Sequence, residues 1–271
     1  MEIYNEFSKV YDHFMEDIPY NQWGEFIREQ LLAYGIQKSR ATCDSGDNEP
    51  AKPPLLLDLG CGTGAMTERL ASYGYELIGI DNSTAMLEIA KNKEESSPHN
   101  ILYLLQDMRE FELYGSVTAV VCVCDSINYI LEIDELKQVF RLVNHYLDPG
   151  GLFLFDFNTD YKYRKVIGNQ TIAENREDKS FIWENYYYEE ERINEIELSL
   201  FVKENQGVLY RKYIEIHHQR AYHLDEIREA LEETGLELIK AYDDYTDGEV
   251  HQESQRVVVV AKLRLKTGVV K

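Results

Sequence analysis

The chain has 271 residues, 28 of them basic and 49 acidic, for a formal net charge of −21, and 44% are hydrophobic. That length and apolar fraction suit one large α/β unit, or one carrying an inserted cap. The charge argues against a phosphate-rich partner, since nucleic-acid affinity rests on cations that neutralise phosphate, and it equally serves simple solubility.

Residues 3–15 carry Tyr4, Phe7, Val10, Tyr11, Phe14 and Met15 at three- and four-residue steps, which predicts a short amphipathic helix. Pro19 can open a second helix, bearing Trp23, Phe26, Ile27, Leu31 and Tyr34 and stopping at Gly35. These aromatics serve either as core or as a flap over a ligand. Residues 40–54 are polar, with Cys43, Gly46 and three prolines, and read as a flexible connection.

Leu55–Leu59 reads as a strand covered on both faces. Gly60, Gly62 and Gly64 follow as a loop that can turn sharply and let a ligand approach. From there strands at 55–59, 76–80, 101–105, 118–124 and 151–156 alternate with helices at 65–73, 83–92 and 134–147. This alternation predicts a parallel sheet, doubly wound with helices on both faces. Ligands in such sheets bind beyond the C-terminal strand ends, where Gly60, Asp81, Asp107 and Asp125 all fall. Asp148-Pro-Gly-Gly151 reads as a turn. Cys122 and Cys124 share one face of a buried strand. With Cys43 and Cys61 they show no C-x-x-C or zinc spacing, which points to a reducing compartment and no metal site.

Residues 160–221 are β-rich. Ile196, Leu198, Leu200 and Val202 alternate with Glu197, Ser199 and Phe201. Phe181–Tyr188 and Leu209–His217 supply two more strands, and Glu204-Asn-Gln-Gly207 a hairpin turn. A three-stranded antiparallel cap is expected, as a substrate lid, a plain scaffold extension or an edge for homodimerisation. A helix over 224–234 ends at Gly235. Strands at Leu236–Tyr242 and Arg256–Leu263 close the chain before a basic, loose tail. No stretch spans a bilayer and the N-terminus carries no basic-then-apolar signal, so a cytoplasmic protein is expected.

Gly60, Gly62 and Ala65 fit the dinucleotide pattern G-x-G-x-x-G/A, and Asp81 stands about 20 residues on, where an acid takes ribose hydroxyls. Asp58 discriminates: a carboxylate before the loop is ill placed beside a pyrophosphate and well placed beside a sulfonium and an ammonium. The set Asp58-Leu-Gly-Cys-Gly-Thr-Gly64, Gly79-Ile-Asp81 with Ser83 and Met86, Gln106-Asp107-Met108 and Leu147-Asp-Pro-Gly-Gly151 resembles the class I S-adenosylmethionine-dependent methyltransferases. The opening Tyr4-Asn-Glu-Phe7…Tyr11-Asp12 and His218-Gln-Arg-Ala-Tyr222 resemble a bacterial subgroup acting on small molecules. The resemblance implies a Rossmann-like fold with an antiparallel C-terminal strand, and one methyltransferase domain over 1–271. A helical flap over 1–39, a linker over 40–54 and the inserted cap at about 160–221 complete it.

It further implies S-adenosyl-L-methionine as cofactor. Gly60, Cys61, Gly62 and Gly64 pass beside its methionine and ribose, Asp58 favours its amino end, and Asp81 with Asn82 takes the ribose. Asp107, with the backbone of Met108, takes the adenine amino group, Asp125 touches the methionine end or the acceptor, and Met86, Gln106 and Cys124 are further cofactor-binding positions. Tyr11 and Trp23 are the flap candidates by resemblance. The acceptor is expected to be a small molecule. Cys124-Asp-Ser-Ile-Asn-Tyr129 is not the Asn/Asp-Pro-Pro-Tyr pattern of enzymes that methylate nucleic-acid bases. Asp125, His217, His218 and Tyr222 are the candidates for a catalytic group, a histidine's ordinary pKa near 6.5 suiting a base. The alternative is a regulatory or partner protein that binds the cofactor without transfer. A nicotinamide oxidoreductase is a third reading.

Overall fold

The computed structural model describes residues 8–15, 18–37, 52–204 and 208–264. Tyr4, Phe7, Cys43, the hairpin tip at 205–207 and the tail from 265 lie outside the described residues. Two helices come first, α1 (Ser8–Phe14) and α2 (Tyr20–Ala33). Then follow β1 (Leu55–Leu59), α3 (Ala65–Ser72), β2 (Glu76–Asp81), α4 (Thr84–Glu94), β3 (Ile101–Leu105), β4 (Val117–Cys122), α5 (Ile133–Tyr146) and β5 (Leu147–Asn158). The cap strands are β6 (Thr171–Asn175), β7 (Lys179–Tyr188), β8 (Ile193–Lys203) and β9 (Tyr210–Arg220). The chain closes with α6 (Leu224–Glu233), β10 (Leu236–Asp243) and β11 (Arg256–Leu263).

The main sheet runs β10-β11-β5-β4-β1-β2-β3. All neighbours pair in parallel except β11, which is antiparallel to both β5 and β10. From β1 the chain winds outward through β2 and β3, then returns to β4 on the other flank. The C-terminal ends of β1 and β4 therefore border the crevice where strand order reverses.

Alternation along each strand splits the core into two layers. Leu56, Leu77, Val121 and Leu154 meet α2 and α3 on one face. Leu57, Ile80, Val120, Phe153 and Phe155 meet α5 and α6 on the other. The stripe of α5, Leu136, Val139, Phe140 and Val143, is wholly buried, and each such side chain stabilises by about 1.5–3 kcal/mol.

Two expectations change. Asp148–Gly151 is no free turn but a wide bulge inside β5: β4 advances from Val117 to Ala119 while its partner advances from Leu147 to Leu152. Gly150 takes φ +85° to allow it. The cap has four strands rather than three, because β6 pairs antiparallel with β7. Its sequence, Thr-Ile-Ala-Glu-Asn, has no apolar alternation because it is a largely exposed edge strand. On the cap's inner face lie Ile196, Leu198 and Leu200. The Phe14 ring meets Phe181 edge-on at 4.8 Å, so α1 is seated against the cap.

Candidate active site

The loop after β1 is shaped from both ends. Gly60 and Cys61 donate their N–H groups to the Ile80 carbonyl at 2.8 and 2.9 Å. Gly60, Gly62 and Gly64 take φ of +79°, +53° and +77°, a region that side chains resist. A Cβ at Gly60 would lie 2.9 Å from Ser126 Oγ, whereas one at Gly62 would meet nothing within 4 Å. Gly62 is thus open to a ligand. Gly64 instead packs inward, where a Cβ would overlap the Tyr103 hydroxyl.

Asp81 ends β2 and reaches back to this loop. One carboxylate oxygen accepts from Gly62 N at 2.8 Å, the other from Ser83 N at 2.8 Å. Burial raises its pKa, and these N–H groups oppose the rise. Asp58 is 1% exposed. Its Oδ2 accepts from Thr67 Oγ1 at 2.6 Å. Its Oδ1 is buried with no hydrogen-bond partner among the described residues. Burial, partly offset by Thr67, pushes its carboxyl up to about 7.

These groups line a cavity of about 420 Å³. Its wall includes the predicted Tyr11, Asp58, Gly60, Cys61, Gly62, Asp81, Asn82, Met86, Gln106, Asp107, Met108 and Cys124. Tyr20, Arg109, Ser126 and Tyr129 line it too and were not foreseen. Arg109 grips Asp107 with Nη2 at 2.6 Å and Nε at 3.0 Å, and so holds that carboxyl below its ordinary range. The Gln106 side chain clamps its own loop, accepting from Glu112 N at 2.7 Å. Tyr11 is carried in by α1, which Asp12 ties to Lys93 Nζ at 2.6 Å and Thr63 Oγ1 at 2.5 Å.

Six predicted positions lie off the cavity. Trp23 is buried in the core, stacked on Tyr245 at 4.4 Å with the Arg256 guanidinium 5.1 Å over its ring. It shares the packed face of α2 with Phe26 and Ile27, so it cannot also be the flap. Tyr20, at the start of that helix, takes the wall position. Its hydroxyl oxygen accepts from the Cys124 thiol at 3.6 Å. Gly64, as described, fits the loop against β3. Asp125 is clasped outside the cavity, with Arg256 Nη2 2.8 Å from one oxygen and Gln219 Nε2 2.8 Å from the other. His218 points to solvent beside Glu195, 3.1 Å away, because strand alternation turns His217 inward instead. Tyr222 is fully buried and donates its hydroxyl to the Ile130 carbonyl at 2.5 Å.

Cys124 and Asp125 both hold positive φ, at 58° and 52°. Two such non-glycine residues in succession need support from outside. Fully buried Asp156 supplies it, accepting from Cys124 N at 3.1 Å and Asp125 N at 2.6 Å. Tyr245 Oη at 2.6 Å and Arg256 Nη1 at 2.8 Å complete its shell. No sequence motif announces this arrangement, because its members come from the turn after β4, from β5, from the loop after β10 and from β11. Among the described residues no cluster of three or more His, Cys, Asp or Glu could hold a metal ion.

The family profile described as "Methyltransferase domain" matches residues 56–151. The Bacillus subtilis (strain 168) protein named "Putative methyltransferase YqeM" is 36% identical over 261 residues, spanning 96% of this chain and 97% of that protein. The crystal structure of an S-adenosylmethionine-dependent methyltransferase from Clostridium acetobutylicum superposes with a TM-score of 0.83 at 29% identity, covering 97% of this chain and 99% of that one. The sugar N-methyltransferase KedS8 from Streptoalloteichus shares the fold, with a TM-score of 0.73 at 19% identity over 94% of this chain and 93% of its own.

The residues fit that cofactor. The partnerless oxygen of Asp58 suits a cationic amino group, the bare face of Gly62 admits close approach, and Asp81 offers carboxylate oxygens beside it. A buried acceptor beside the loop repels a pyrophosphate, which removes the nicotinamide reading. The chain belongs to the class I S-adenosylmethionine-dependent methyltransferases, with S-adenosylmethionine as its cofactor.

Proposed function

We propose that the protein transfers the methyl group to a small molecule held at the tyrosine-lined end of the cavity, beneath α1 and the cap. The observation that carries this reading is the presence of Tyr11, Tyr20, Cys124 and Tyr129 together in the cavity wall, with the Cys124 thiol 3.6 Å from the Tyr20 hydroxyl. A cavity of about 420 Å³ suits small molecules rather than a duplex or a folded protein. The net charge of −21 fits the same class, since it disfavours a polyanionic acceptor. A sugar N-methyltransferase built on this fold offers a precedent of that size.

When bound, S-adenosylmethionine supplies a methyl already activated by its sulfonium, so the protein's task is alignment and exclusion of water. In this reading Asp58 takes the amino group and Asp81 with Asn82 the ribose hydroxyls. Asp107 and the backbone of Met108 take the adenine amino edge. The cavity cysteines are poorly suited to act as nucleophiles. Burial raises the thiols of Cys61 and Cys124 well above their ordinary pKa, with nearby carboxylates adding to it, and a thiol is inert where the thiolate is not. Direct transfer to the acceptor follows.

The test is incubation with donor labelled in its methyl group and a low-molecular-weight metabolite extract. Label is expected in a discrete small-molecule product. Adenosylhomocysteine binding without any labelled product would overturn the proposal in favour of a binding protein.

A further inference from the structure

We propose that Tyr129 is the catalytic residue that receives the acceptor's proton, with His217 and Glu215 of the cap as the positioning residues that let it do so. The inference rests on the reading of a small-molecule acceptor and adds the chemistry of that acceptor: an N–H or O–H group that must lose a proton as it attacks.

The observations are geometric. Tyr129 closes the short helical turn Ser126–Tyr129 after β4 and lines the cavity. Its hydroxyl lies 3.2 Å from His217 Nδ1, and the two rings meet edge-on with centroids 6.0 Å apart. The other imidazole nitrogen, Nε2, lies 3.4 Å from a Glu215 carboxylate oxygen. His217 is 2% exposed and Glu215 9%. Both lie on the inward face of β9, two residues apart, opposite Ile196 and Leu198 of β8.

A glutamate and a histidine on an inward cap face are costly there unless each meets a partner. Here they form a file from the cavity wall into the cap: phenol, imidazole, carboxylate. The Glu215 charge approaches Nε2 as an ion-pair contact rather than a hydrogen bond, and its field favours the tautomer with the proton on that nitrogen, which leaves the Nδ1 lone pair facing the phenol.

The step balances. The acceptor's lone pair forms the new bond to the methyl carbon as the carbon–sulfur bond breaks, and that electron pair stays on sulfur. The acceptor's proton passes to the Tyr129 oxygen while the phenol's own proton passes to His217 Nδ1. The imidazolium so formed is stabilised by Glu215, and its proton leaves to water with the product. One sulfonium and one neutral acceptor become a thioether, a methylated acceptor and a proton. Asp125, His218 and Tyr222 have no place in this path, for each is engaged away from the cavity.

The deciding measurement needs no acceptor. In full-length protein labelled with ¹⁵N-histidine and saturated with adenosylhomocysteine, the His217 ring is assigned by its loss in His217→Gln. We expect Nε2–H with a hydrogen-bonded, unprotonated Nδ1, and a moved Nδ1 resonance in Tyr129→Phe. A proton on Nδ1 would overturn the proposal, since the imidazole would then donate to the phenol and could not receive. In the extract assay, Tyr129→Phe should slow label incorporation about 100-fold, the lower end of general acid–base effects, with adenosylhomocysteine affinity within twofold of the parent. Glu215→Gln should slow it less. A parental rate in Tyr129→Phe also overturns the relay. Failure of any label to reach a small molecule would sink the acceptor reading alone, because the tautomer result judges the relay separately.

Discussion

Asp58 and Asp81 end neighbouring strands, yet their environments differ in one decisive respect. Asp81 has backbone N–H partners on both oxygens, whereas Asp58 has one oxygen that is buried and unmet among the described residues. Burial raises the Asp58 carboxyl to about 7. A folded-state pKa above the unfolded one means the folded, ligand-free protein binds the extra proton. The Asp58 contribution to stability is therefore fully present below about pH 4 and is lost as pH rises through about 7. A cationic amino group beside Asp58 reverses that preference by favouring the carboxylate. Adenosylhomocysteine should accordingly bind more tightly at pH 8 than at pH 6 and release protons on binding. Calorimetry in two buffers of different ionisation enthalpy reads this, and Asp58→Asn should flatten the dependence. For Asp81→Ala, affinity for the same ligand should fall by roughly 1–3 kcal/mol, the cost of leaving buried polar partners unpaired. An unchanged Kd in a folded variant would reject its assignment to the ribose.

At the scale of elements, the turn after β4 is held by strands that are remote in sequence. Asp156 of β5 anchors both left-handed residues, and Arg256 of β11 bridges Asp156 and Asp125. Removing Asp156 takes away one of the two carboxylates that lie 2.8 Å from the Arg256 guanidinium, along with the acceptor of both left-handed N–H groups. Asp156→Ala should therefore destabilise the fold by about 3–5 kcal/mol, as broken buried pairs do, seen as a lower denaturant midpoint. Asp156→Asn, which keeps acceptor capacity, should cost less. Equal losses in the two variants would show that shape rather than charge and acceptance anchors the turn. Gln219 of β9 donates to Asp125, and Asn128 donates to the carbonyls of Asn158 at 2.9 Å and Arg220 at 2.7 Å. The cap is thus fastened to the sheet where it leaves β5 and where it returns. Elements of this kind were visible in outline only. The alternation in β8 declared itself, while β6 did not, since an exposed edge strand has no core face to mark it.

Across the whole molecule, the site exists because strand order reverses between β1 and β4, opening a crevice at their C-terminal ends. The N-terminal helices add Tyr11 and Tyr20 to its wall, and α1 touches both α4 and the cap through Asp12 and Phe14. No described helix is long and apolar enough to cross a membrane.

Local residue order was enough to specify the strand–glycine loop–helix unit, the acids at the ends of β1 and β2, and the parallel alternation. Each is written in contiguous residues, in a period of two or 3.6 and in the backbone freedom of glycine. It also placed histidines and aromatics in roughly the right elements. Which of them turn inward was set by packing between distant elements: Tyr20 rather than Trp23 onto the cavity wall, and His217 rather than His218 onto the Tyr129 hydroxyl. The phase of a helix or strand is set by what it packs against. Those partners, Tyr245 for Trp23 and Tyr129 for His217, lie 222 and 88 positions away in the chain, beyond the reach of any local pattern.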